Sequence, residues 1–184
     1  MPSQPIQQLI GEIDRLATPQ ACLFTPDDLR ALLPSLSDSA FRTLLSRAAK
    51  NSALRRVCRG LYIYERAKPD RGRLLYAVVN KLRPLSLNYL SLESVLSDAG
   101  VISQILINRI TVMSSGRSNI IDCGPWGSVE FVHTRQKPSE LVGQLVYDTE
   151  YGLWRATVPQ ALRDMKVTQR NLDLIDWSIA DDFV

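Results

Sequence analysis

Three arginines, Arg55, Arg56 and Arg59, are threaded through the apolar stretch LRRVCRGLYIY at residues 54–64. A buried strand does not tolerate three guanidinium groups, and a solvated charge run does not carry so much aliphatic and aromatic mass. Just upstream, Ser39, Arg42, Thr43, Ser46, Arg47 and Lys50 recur at the spacing of one helix face, with Asp38 the only acid beside them. Together these residue types do the chemistry of polyanion recognition. Arginine reads guanine bidentately, serine and threonine reach bases or phosphates, and a further cation holds the flanking backbone.

Bond-making chemistry has thinner material. His133 is the only histidine and stands in EFVHT on a predicted strand, so a nucleophilic triad or an imidazole metal site has no second member. Asp122 and Glu130 flank a turn as a nuclease-like pair would, yet no lysine follows on the second strand, and they read as solvent-facing strand acids. Gly116, Gly124 and Gly127 form no phosphate-cradling pattern ahead of a helix, and Trp126 reads as a turn aromatic folded onto a sheet. Cys22, Cys58 and Cys123 are widely spaced without a CxxC pair. They read as small, mostly buried residues of a reducing compartment rather than a zinc site or disulfide framework. The expectation is a non-enzyme with no metal and no cofactor.

Charge is distributed unevenly along the 184 residues. Residues 1–74 hold 12 Lys+Arg against 7 Asp+Glu, a balance of +5, whereas residues 75–184 hold 10 against 12, a balance of −2. Residues 30–73 alone carry 11 basic and 3 acidic side chains, a local +8 that suits a polyanionic partner.

These residues need elements to position them. Ile6, Leu9, Ile10, Ile13 and Leu16 fall at helical spacing and predict an amphipathic helix over 4–17. In FTPDDLRALLP, Thr25 is placed to cap, Pro26 suits the first helical position, Asp28 follows three residues after the cap, and Pro34 ends a second helix. Ser37 caps a third helix to Asn51, whose apolar stripe is Phe41, Leu44, Leu45 and Ala48. A hairpin follows at once, with strands near 54–58 and 61–64 and Arg59-Gly60 at its tip. That order predicts a winged helix-turn-helix over 1–66, with Arg42, Thr43, Ser46 and Arg47 nearest base edges and Arg55, Arg56 and Arg59 on phosphates.

Polar, turn-rich residues 67–74 read as a linker, and 75–184 as a mixed α+β domain. Its expected elements are a helix in LLYAVVNKLRP and another in NYLSLESVLSDAG closed by Gly100. Short strands follow at 109–115, 119–122, 128–134 and 152–156, then a helix capped by Thr157 and an acidic ending at 171–184. The fold class is thus α+β, a winged helix-turn-helix followed by a mixed α+β domain. No apolar run approaches the length of a membrane span, and the amphipathic, acid-containing start is unlike a signal peptide, so the expected localisation is cytoplasmic with no membrane partner.

The succession RGLYIY (59–64), LSLESVLSDAGVI (90–102), ITVMSSGRS (110–118), GSVEFVHT (127–134) and ATVPQALRD (156–164) resembles the AbiEi family of antitoxins over nearly the whole chain. The resemblance implies a winged helix-turn-helix that represses its own operon at inverted repeats of double-stranded DNA, with possible self-association on that DNA. It also implies a C-terminal antitoxin domain that neutralises a nucleotidyltransferase-like toxin, as in type IV toxin-antitoxin systems, without a stable complex. The chain departs from the family in the last block, where Val158, Pro159 and Gln160 stand in place of Pro-Glu-Lys, while Thr157, Ala161, Leu162 and Asp164 fit. Two other readings stand beside this one. A ligand-sensing regulator without antitoxin activity requires a closed apolar pocket in the second domain, and an enzyme requires Asp122, Glu130 or His133 in its site.

Overall fold

A computed structural model describes residues 5–103 and 108–183, so Gln4 and Val184, at the ends of two predicted segments, lie outside the described residues. The chain divides into two compact units, Met1–Leu74 and Leu75–Val184.

The first unit runs α1 (Pro5–Leu16), β1 (Leu23–Phe24), α2 (Pro26–Ala31), α3 (Asp38–Lys50), β2 (Arg55–Cys58) and β3 (Leu61–Ile63). Leu9 and Ile13, one turn apart on α1, are fully buried against a core that includes Leu29, Leu33, Phe41, Leu44, Leu45 and Ala48. Helix α2 starts with a reciprocal capping box: Thr25 Oγ1 accepts from Asp28 N at 3.1 Å, and Asp28 Oδ2 accepts from Thr25 N at 2.8 Å.

Arg30, counted by charge alone among the polyanion-binding cations, instead clasps the connection to α3. Its guanidinium donates to the carbonyls of Leu33 and Leu36, both at 2.5 Å, and lies 3.5 Å from Asp38 and 5.6 Å from the Phe41 ring centroid. Ser37 then caps α3, its hydroxyl accepting from Ala40 N at 3.3 Å. Ser37→Ala is expected to cost about 1 kcal/mol of stability, read as a lower urea midpoint with an unchanged m value.

Strand β3 lies between β1 and β2, antiparallel to both. Gly60 takes a φ of +78° at the hairpin tip, a conformation that suits glycine, and Cys58 pairs with Leu61 directly across it. Tyr64 donates to the Asp14 carboxylate, tying the end of the hairpin to α1. The two-residue β1 escapes a sequence reading because it is too short to show alternation. Cys22 and Cys123 are buried, whereas Cys58 is half-buried, and no disulfide joins them among the described residues.

The second unit runs α4 (Leu74–Leu82), β4 (Asn88–Leu90), α5 (Glu93–Asp98), β5 (Arg109–Ser114), β6 (Asn119–Asp122), β7 (Ser128–His133), β8 (Leu145–Asp148), β9 (Leu153–Ala156), α6 (Val158–Val167) and α7 (Trp177–Ala180). Six strands form one mixed sheet in the order β6-β7-β5-β4-β9-β8. The sequence expectation of one helix over NYLSLESVLSDAG is corrected here: Asn88–Leu90 is a strand, and only Glu93–Asp98 is helical. Tyr89 and Leu90 are flanked by Met113 and Val112 of β5 on one side and by Trp154 and Arg155 of β9 on the other. A central strand buried on both faces shows no alternation and cannot be told from a helix by period. Gly100, with φ +72°, ends α5 as expected: Val101 N bonds Leu96 O and Gly100 N bonds Ser97 O, the paired bonds of a left-handed helix stop.

Phe131, Val112 and Leu90 are in register across β7, β5 and β4, so they share one sheet face, and Tyr89 lies on the other. Arg83, just past α4, covers Phe131, whereas Asp164 of α6 bonds Tyr89, which places these contacts on opposite faces. Gly127, in the GPWG turn, has a φ of +106°, and a Cβ there would stand 2.1 Å from the Asn108 carbonyl oxygen, so the turn accepts only glycine. Among the described residues no helix is long and apolar enough to cross a membrane.

Candidate nucleic-acid interface

Helix α3 buries Phe41, Leu44, Leu45 and Ala48, so its remaining arc must face out. At 3.6 residues per turn, Arg42, Ser46, Ser39, Lys50, Thr43 and Arg47 succeed one another, in that order, around an arc of roughly 140°. All six are exposed. Two of the hydroxyls are locally engaged: Thr43 Oγ1 donates to the Ser39 carbonyl at 3.0 Å, and Ser39 Oγ lies 3.2 Å from Ser37 Oγ. Each keeps an acceptor lone pair for an outside donor. Arg42 and Arg47 stand at the two margins of the arc rather than at its middle.

The arc meets the hairpin along one margin. Arg56 pairs with Tyr62 across β2 and β3, so the two share a face, and with Arg42, Ser46, Ala49, Lys50 and Leu45 they line a single surface depression of about 440 Å³. Three cations from two elements therefore converge on one hollow whose lining includes no acid. Arg56 is steadied there by its Nε donating to the Cys58 carbonyl at 3.2 Å. Along the other margin, Ser39, Thr43, Arg47 and Asn51 line a second depression of about 720 Å³, together with Pro5 and Ile6 of α1.

Arg55 and Arg59 line neither hollow. Arg55 pairs with Ile63, which sets it on the opposite strand face from Arg56, and its Nη1 lies 3.3 Å from Glu65 Oε1 in an ion pair. Arg59 projects exposed at the hairpin tip with no ion pair among the described residues. Of the nine residues singled out from sequence, then, Arg42, Ser46, Lys50 and Arg56 come together, Ser39, Thr43 and Arg47 continue the surface, Arg59 extends it, and Arg55 is diverted. Tyr62 was missed. A two-residue turn alone would set Val57 opposite Tyr62; the register shift between Arg56 and Cys58 brings Arg56 there instead, and nothing in the local sequence signals it.

The residues an enzyme would use do not converge. Glu130 is held by Arg170, which also lies 3.6 Å from Glu93. Asp122 accepts from Gly124 N at 2.8 Å within its own turn. His133 is three residues from Glu130 on β7 and so faces the other side of the sheet, its Nδ1 2.9 Å from the Gly116 carbonyl. Among the described residues no group of three or more His, Cys, Asp or Glu side chains is placed to hold a metal ion.

Compared with protein-family models and with curated proteins, the chain finds no match in either.

Proposed function

We propose that the first unit is a winged helix-turn-helix that binds double-stranded DNA, with α3 in the major groove and the β2–β3 hairpin as the wing. The convergence of Arg42, Lys50 and Arg56 on one acid-free hollow carries this reading. A groove-bound helix flanked by a ribbon must present cations from both elements to the same phosphate track, and that arrangement supports it. Ser39, Ser46 and Thr43 occupy the middle of the arc and face base edges, while Lys50 joins Arg42 and Arg56 on one phosphate track and Arg47 reaches the other flanking strand. Arg59 reaches phosphate or the adjacent minor groove.

One such module buries too little surface for tight specific binding, so two copies on an inverted repeat form the working unit. Occupying the promoter of its own operon makes the protein a repressor. By its resemblance to AbiEi antitoxins, the second unit neutralises a nucleotidyltransferase-like toxin encoded beside it, without a stable complex. Growth rescue when the full chain is co-expressed with that neighbouring gene product tests the antitoxin half separately.

The DNA-binding half is tested by fluorescence anisotropy on duplex from upstream of the gene. With about four to six phosphates neutralised per protomer, log affinity should fall against log salt with a slope of roughly −4 to −5 per protomer. Absence of binding to that duplex, or binding indifferent to salt, rejects the assignment.

A further inference from the structure

Arg83 follows α4 and is drawn into the second unit with no carboxylate among its partners in the described residues. Its guanidinium lies 3.8 Å over the Phe131 ring centroid, Nη1 donates to Ser114 Oγ at 3.0 Å, and Nη2 donates to the Arg117 carbonyl at 2.7 Å and Asn119 Oδ1 at 2.6 Å. Gly116 admits it, since a Cβ there would stand 2.8 Å from Nη1. Three of the five guanidinium N–H groups are thus used, leaving Nε–H and one Nη1–H. Burial, and then the like charge of Arg117, pull the Arg83 pKa down, as befits a cation short of counter-charge.

Beside this group lies a depression of about 480 Å³ whose lining includes Arg83, Arg117, Asn119 and Ser86 and no acidic residue. Its remaining wall is apolar, with Pro84, Ile121 and Leu85, the last 99% exposed. A purely structural clasp accounts for Arg83 alone. It gives no reason for a second cation at the same hollow, where Pro84, Leu85 and Ile121 supply an apolar wall beside the two guanidinium groups.

We propose that this depression binds a small organic anion, its carboxylate or phosphate held by Arg83 and Arg117 and its flat apolar body laid over Pro84 and Leu85. The inference is independent of DNA binding by the first unit. Guanidinium groups hold planar oxyanions through paired, charge-assisted hydrogen bonds, and the amide of Asn119 and hydroxyl of Ser86 supply further donors at the rim. Loss of either the charge or the apolar body should weaken the ligand.

The test is an amide NMR titration of the full chain with benzoate, phenyl phosphate and inorganic phosphate. Resonances of Arg83, Leu85, Ser86 and residues 116–119 are expected to shift saturably with the first two, and inorganic phosphate, lacking the ring, to bind about tenfold more weakly. Arg117 is exposed and its side chain makes no hydrogen bond or ion pair among the described residues, so Arg117→Ala should keep the native spectrum and lose about tenfold in affinity for phenyl phosphate. No saturable shift with either aromatic anion, or affinity untouched in Arg117→Ala, overturns the proposal. A short DNA duplex is expected to leave these resonances in place while moving those of α3 and the hairpin. If the duplex moves those of Arg83, Leu85, Ser86 and residues 116–119 instead, the phosphate bound there is DNA backbone and the small-anion assignment falls.

Discussion

The variant Arg42→Ala/Lys50→Ala/Arg56→Ala should lose roughly 10²- to 10³-fold of its DNA affinity at about 0.1 M salt, with a salt slope shallower by about 2.7. The figure follows from counterion release, which assigns about 0.9 of slope to each phosphate contact removed. These three side chains were chosen because they line one hollow from two elements, and all three are exposed. Stability should therefore hold: alanine suits the two helical positions, Arg56 occupies an exposed strand position, and no buried group is left unpaired. Arg15→Ala is the matched control, since it removes one exposed cation of α1 that is paired with Glu12 at 3.1 Å, and its slope should stay with the parent. Arg55→Ala should do less than Arg59→Ala, because the Glu65 carboxylate already partly balances Arg55. A triple variant whose slope equals that of the parent would mean that the hollow does not touch the phosphate track, and the proposed docking would have to be abandoned.

That ranking of arginines marks the limit of what the sequence discloses. The helices of the first unit are legible because their ends carry explicit chemistry: Thr25 with Pro26 and Asp28, and Ser37 ahead of a clean apolar stripe. The hairpin is legible from Gly60 between two β-rich segments. What spacing cannot supply is the partner of each cation. Arg30 and Arg56 belong to the same basic run at 30–73, yet one locks a turn through two carbonyls and the other lines the hollow beside α3. In the second unit the same limit appears as period ambiguity. Strands β5, β6 and β7 alternate or are bounded by turn residues and were foreseen, whereas β4 is buried on both faces and passed for helix. Strand β8 was missed because LVYD is short and sits on an edge, with Val146 and Tyr147 exposed. The hollow beside Arg83 was out of reach too, since it joins residues 83–86 to 116–131 across a register that only the folded sheet defines.

Asp164→Ala should destabilise the protein by about 3 kcal/mol, and Asp164→Asn by far less, because of how that carboxylate is held. It is fully buried, its Oδ2 accepting from Ser91 Oγ at 2.7 Å and its Oδ1 from Gln160 at 2.9 Å, Gln136 at 3.0 Å and Tyr89 at 3.4 Å. Alanine strands those donors without water, whereas asparagine keeps an acceptor and lets the two glutamine amides turn to receive its N–H groups. Among the described residues no cation reaches the carboxylate. Burial holds its pKa above the ordinary 3.8 even though the four hydrogen bonds, Ser91's first, pull it down.

A folded-state pKa raised above the unfolded one contributes stability that is complete below about 3.8 and is lost as pH rises through the folded value, so the parent carries this penalty at neutral pH. The stability of the parent minus that of Asp164→Asn, from urea melts, should accordingly fall as pH rises from the unfolded value of about 3.8 through the raised folded value. Gln160 is the neutral side chain that stands where a counter-charge could reach, its Nε2 2.9 Å from Asp164 Oδ1. Gln160→Lys should place an ammonium where Gln160 Nε2 now lies, 2.9 Å from Oδ1, depress the Asp164 pKa and reverse the trend, with stability then lost on acidification. If Gln160→Lys and the parent show the same pH dependence, the carboxylate is not the titrating group and its burial is compensated by a charge other than those named.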